Sequence, residues 1–110
     1  MLAIAGGKGG AGKTTTALGL AAALDGPTLV ADADLDMPDL HLLAGVDRDP
    51  TLAAVGDGRE PTALAQPRPG TDDVSVLPAP RADEEAAVAP ALDRLARCPP
   101  TTLLDCPGGA

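Results

Sequence analysis

Eight residues near the start of the chain, Gly7-Lys8-Gly9-Gly10-Ala11-Gly12-Lys13-Thr14, combine glycines, two lysines and a hydroxyl in the spacing G-x-x-x-x-G-K-[ST]. Glycine at 7, 9, 10 and 12 permits backbone angles and close approaches that a Cβ would forbid. Successive N–H groups can therefore point inward as a nest for phosphate oxygens. Lys13 is a compact cation of the right reach for β- and γ-phosphates, and the Thr14 hydroxyl is a hard oxygen suited to Mg²⁺. Thr15 would lie beside the inner phosphates. A glycine-rich turn that merely joined two elements would need neither lysine, yet Lys8 and Lys13 are the only lysines in the chain.

Such a loop works only between a buried strand and a helix start, and the flanking sequence supplies both. Met1 to Ala5 is a short apolar run, read as a strand buried on both faces. Lys13 to Leu24 is rich in Ala and Leu, with Leu18, Ala21, Ala22 and Leu24 at helical spacing and Gly26-Pro27 as a stop. The N-terminus of that helix would add roughly half a positive charge to the phosphate nest.

A second strand, Thr28 to Ala31, ends in the acids Asp32, Asp34, Asp36 and Asp39, and Leu40 to Ala44 reads as a short helix. Residues 56–73, rich in Gly, Pro, Asp and Arg, read as a surface connection. Val74 to Leu77 is a third strand. Asp83 could cap a helix bearing Glu84 and Glu85 in its first turn and Val88, Ala91, Leu92 and Leu95 on its apolar face, with Pro90 forcing a kink or a later start. Thr101 to Leu104 is a fourth strand, closed by Asp105-Cys106-Pro107-Gly108-Gly109. Strands alternating with helices predict an α/β fold, a parallel sheet flanked by helices in one domain over residues 1–110.

The segment KGGAGKTT resembles the deviant Walker A motif of the MinD/ParA family of P-loop ATPases, whose signature is the extra lysine matched here by Lys8. The resemblance implies that Lys8 reaches across a nucleotide-sandwich homodimer to the partner's phosphates. Val30-Ala31-Asp32-Ala33-Asp34 is similar to the family's switch I, and Asp39-Leu40-His41-Leu42-Leu43-Ala44-Gly45 is closer to the MinD branch than to ParA. Thr101 to Gly109 looks like the Walker B strand with a D-x-P-x-G switch II, although Gly108 stands where MinD-like proteins commonly have Ala. By this match Asp34 positions the attacking water, Asp32 is a supporting acid near the metal, and Asp105 contacts Mg²⁺ through a water. The Gly108 amide would sense the γ-phosphate. The catalytic set is thus Lys8, Lys13 and Asp34, the nucleotide cradle is residues 7–15, and the metal set is Thr14, Asp34 and Asp105, with ATP and Mg²⁺ as cofactors.

Composition narrows the partners. Sixteen acids against eight bases give a net charge of −8, and the chain has no Phe, Trp or Tyr. Such a chain repels nucleic-acid backbones and anionic lipid and lacks stacking platforms for single strands. Acids are mostly Asp, a pattern that both a salt-loving source and a GC-rich coding bias explain. Cys98 and Cys106 lack metal or disulfide spacing and read as reduced thiols, and His41 reads as a surface or packing residue. With no basic leader and no long apolar run, the sequence points to the cytoplasm. MinD/ParA proteins are roughly twice this length, so the chain resembles a front half, without the base-recognising segment, much of the dimer surface or the MinD membrane helix. An Mrp-type iron–sulfur carrier ATPase and a truncated protein that binds nucleotide without turnover are the alternatives.

Overall fold

The structure is a computed structural model that describes residues 2–4, 10–24, 26–35, 38–71, 73–97 and 101–106. Its strands are β1 (Leu2–Ile4), β2 (Thr28–Asp32), β3 (Gln66–Pro67), β4 (Val74–Leu77) and β5 (Thr101–Asp105). The helices are α1 (Gly10–Ala23), α2 (Leu40–Ala44), α3 (Ala53–Gly56), α4 (Pro61–Leu64) and α5 (Val88–Leu95), the last preceded by a 3₁₀ segment, Ala82–Ala87.

The strands form one sheet in the order β1-β5-β2-β4-β3. β1, β5, β2 and β4 run parallel, and β3 adds an antiparallel edge on β4. The chain travels outward from β2 to β4 and then returns to place β5 between β1 and β2. Three carboxyl strand ends consequently lie side by side with the start of α1, the crevice in which open α/β sheets bind ligands.

All five residues of β2 are buried, as a strand covered on both faces requires. Alternation along it divides the core. Val30, with Val74, Val76 and Leu103, packs under Ala17, Leu18 and Ala21 of α1 and Leu40 and Ala44 of α2. Leu29 and Ala31, with Leu77 and Leu104, face Leu52, Val55, Leu64, Ala91 and Leu95 on the other side. Without aromatic rings, small residues do much of this filling. α3 approaches the 3₁₀ segment so closely that a Cβ on Gly56 would overlap the Ala87 carbonyl oxygen.

Three expectations need correction. α1 begins at Gly10 rather than Lys13, and its buried stripe is Thr14, Ala17, Leu18 and Ala21; Ala22 and Leu24 are exposed. The second is residues 56–73, which are not a plain connection. Pro61 opens α4, where its missing N–H costs nothing, Pro61 and Leu64 are buried, and Pro67 sits in an edge strand, the place in a sheet where proline is tolerated. Composition alone does not separate these prolines from loop prolines. Lastly, Asp83 caps nothing: the 3₁₀ segment starts after the extended Arg81, whose N–H donates to Glu84 Oε1 at 2.7 Å. α5 then starts late, with Pro90 in its first turn, and buries Ala91 and Leu95.

Candidate functional site

The first turn of α1 contains Gly10, Ala11, Gly12 and Lys13. The opening N–H groups of a helix have no partner within it, so this turn supplies donors and a positive dipole end without any side chain. Five residues of the loop motif, Gly10 to Thr14, are therefore helical, and the cradle is in part a helix terminus. Gly7, Lys8 and Gly9 lie outside the described residues, as do the Lys13 side chain, Asp36, Cys98 and the switch II residues Pro107 to Gly109.

One turn into α1, Thr14 is 2 % exposed and its Oγ1 donates to Asp105 Oδ2 at 2.6 Å, across 91 residues of sequence. This bond ties the glycine-rich segment to the end of β5. Thr15, next along the helix, is exposed. Asp105 is itself 1 % exposed. Its register partner on β2 is Asp32, and the Asp105 carbonyl accepts from Ala33 N–H at 2.9 Å, so the ladder continues one residue past β2.

Asp32 is fully buried. Its Oδ1 accepts from Asp34 N–H at 2.9 Å and its Oδ2 from Leu40 N–H at 3.3 Å. Asp34, two residues on, is 4 % exposed. Three carboxylates thus occupy one buried wall. Burial, reinforced by the charges of Asp105 and Asp34 and opposed by the two amides, pushes the Asp32 carboxyl up to about 7. The charged form of Asp32 is thus electrostatically frustrated, and a cation nearby would favour it.

The donor set fits magnesium. Among the described residues no group of three or more His, Cys, Asp or Glu forms a cage for a metal ion. Mg²⁺ does not ask for one, since it takes one or two protein oxygens and completes its shell with water and phosphate. A hydroxyl that donates to Asp105 keeps its lone pairs available, so Thr14 Oγ1 can serve as a ligand without breaking the bond seen here. Thr14 is thus bonded to Asp105, and Asp105 is in register with Asp32, which accepts from the Asp34 amide.

His41 is half-buried on α2, and burial, then the charge of Arg48, lowers its pKa. Cys106 is half-buried against the core and donates to the Leu104 carbonyl. Among the described residues no helix is long and apolar enough to cross a membrane. Two contributions escaped the sequence reading. The helical state of Gly10 to Gly12 was hidden by glycine's poor helix propensity, and the Leu40 amide carries no side-chain signature.

Several solved structures resemble the chain. The cell division ATPase MinD of Pyrococcus furiosus is 31 % identical, with a TM-score of 0.71 over 99 % of this chain and 50 % of that one. The septum site-determining protein MinD of Pyrococcus horikoshii, complexed with Mg-ADP, is 27 % identical, with a TM-score of 0.73 over 99 % and 50 %. Cobyrinic acid a,c-diamide synthase of Mycobacterium smegmatis, with a bound ATP analogue and magnesium, is 29 % identical, with a TM-score of 0.64 over 97 % and 51 %. The chain spans about half the length of each of these structures. No curated protein sequence matches it. The sequence profile of the CobQ/CobB/MinD/ParA nucleotide binding domain, however, matches residues 2–99, and the chain belongs to that family.

Proposed function

We propose that this chain is the phosphate- and magnesium-handling half of a MinD/ParA-type ATPase, which in complete form switches between monomer and homodimer in cell division or positioning. The observation that carries the reading is the 2.6 Å bond from Thr14 to Asp105, which joins the glycine-rich segment to the carboxylate wall. The MinD neighbour with Mg-ADP and the diamide synthase with an ATP analogue and magnesium support ATP and Mg²⁺ as the ligands. The division role rests on the MinD neighbours alone.

The residues divide the work as follows. Backbone amides of residues 7–13, with the helix dipole, hold the phosphate oxygens, Lys13 neutralises the β- and γ-phosphates, and Thr15 flanks the inner ones. Thr14, Asp34 and Asp105 would hold the metal. Bound magnesium supplies charge neutralisation on the phosphates. Asp34 orients the attacking water in line with the terminal phosphate. Lys8 crosses to a partner's phosphates in the dimer, so its loss would spare binding and weaken ATP-dependent dimers.

Single-turnover hydrolysis tests the proposal. Mg²⁺-dependent phosphate release that Asp34→Ala abolishes supports it. ATP binding without any release by the unmodified chain favours a protein that holds nucleotide without turnover.

A further inference from the structure

We infer that Asp32 is a positioning residue, a clasp whose two carboxylate oxygens hold the Asp34 backbone and the start of α2 in place. This deepens the ATPase reading and rests on it for the role of Asp34. The geometry is independent of that reading.

Both hydrogen bonds of Asp32 go to main-chain amides of the segment that follows β2. The first, from Asp34 N–H to Oδ1 at 2.9 Å, closes the two-residue turn that Asp side chains favour. The second, from Leu40 N–H to Oδ2 at 3.3 Å, spans eight residues and satisfies an opening amide of α2. No side-chain cap does this for α2, because Asp39, at its N-cap, makes no capping bond. Both bonds are shielded from water, since Asp32 is 0 % exposed, and a buried amide left without its acceptor is costly.

The clasp is anchored at both ends. Asp32 is the last residue of β2, in register with Asp105. Leu40, also 0 % exposed, is packed in the core beneath α1. A carboxylate is the side chain that satisfies both amides at once. Asparagine has one acceptor oxygen and turns an NH₂ group toward the second amide.

Amide hydrogen exchange on the nucleotide-free chain tests the inference directly. Asp32→Asn keeps the local turn and loses the distant bond. Exchange at Leu40 should accelerate at least about tenfold, with Asp34 within about threefold of the unmodified protein and Val30 in β2 unchanged. Asp32→Ala should accelerate Asp34 and Leu40 alike. Leu40 exchange within about threefold of the unmodified protein in both variants overturns the clasp. If Val30 protection is lost because a variant fails to fold, the unmodified chain decides. A scalar coupling across the hydrogen bond between Leu40 ¹⁵N and Asp32 ¹³Cγ supports the clasp, and its absence overturns it.

Turnover separates positioning from metal support. Asp32→Asn should lower kcat about tenfold with KM for ATP and the Mg²⁺ requirement within about threefold. A raised Mg²⁺ requirement with unchanged Leu40 exchange would assign Asp32 to the metal instead. Failure of the ATPase reading would show as unaltered ATP affinity in Lys13→Ala, a result that leaves the exchange measurements standing.

Discussion

The two ends of β2 treat buried polar groups in opposite ways. At its amino end, Thr28 is 2 % exposed and its hydroxyl donates to the carbonyl of Gly26, a neutral bond closed within the adjoining turn. A groove of about 340 Å³ opens there, lined by Pro27, Thr28, Leu29, Thr62, Ala65, Asp73 and Ser75. At the carboxyl end, only four residues away, Asp32 is buried in register with Asp105 and close to Asp34. The amino end solves its polar problem locally and cheaply. Its counterpart gathers three buried acids at one strand end, and burial, together with their mutual influence, raises the pKa of Asp32. The groove and the cluster of buried acids are at opposite ends of the same strand.

That contrast can be broken experimentally, most strongly through pH. The folded chain keeps a proton on Asp32 up to about pH 7, whereas an unfolded chain releases it near 3.8. Between those values the unfolded state binds fewer protons, so stability falls as pH rises, by up to about 4 kcal/mol at about 1.4 kcal/mol per unit, and levels off above 7. Urea unfolding of the nucleotide-free protein from pH 4 to 8 should trace this slope, and Asp32→Asn should flatten it. Mg²⁺ with nucleotide should flatten it too, because a nearby cation favours the charged form. A flat profile for the unmodified protein would mean that the acidic wall carries no frustration.

A somewhat smaller effect is expected from Lys13→Ala, which should weaken ATP binding at least 100-fold, about 3 kcal/mol, in calorimetry. Unchanged affinity would remove the phosphate site from this end of the sheet. The finest test makes the same substitution at both ends. Thr14→Val removes a buried bond to the Asp105 carboxylate and should cost about 2 kcal/mol in thermal unfolding, along with Mg²⁺-dependent nucleotide binding. Thr28→Val removes a weak local bond and should cost about 1 kcal/mol or less, with binding untouched. Equal costs would erase the distinction between the two ends.

Much of this was legible in the residues. The Gly7-to-Thr14 spacing, the apolar run at Leu2–Ile4 and the acid-terminated strand at Thr28–Asp32 each follow from local chemistry, and the structure joins Thr14 to Asp105. The less legible features depend on what a residue meets across the fold. Proline at 61, 67 and 90 reads as a breaker in sequence, yet each occupies a position where a missing N–H is tolerated. Glycine at 10 and 12 reads as loop, although both residues are helical. The role of Asp32 was the least visible, because its second bond reaches the amide of Leu40, and a main-chain N–H looks the same at every position of a sequence.

The insertion of β5 between β1 and β2 also governs how the molecule can be made. As the chain leaves the ribosome, β1 and β2 emerge early with the place between them unfilled, and the strand that fills it comes after nearly a hundred residues. The carboxylate that meets Thr14 is 91 positions downstream of it. The nascent chain therefore has to carry its unfinished sheet until the central strand arrives, and such distant pairing makes folding slow compared with helical chains of similar size.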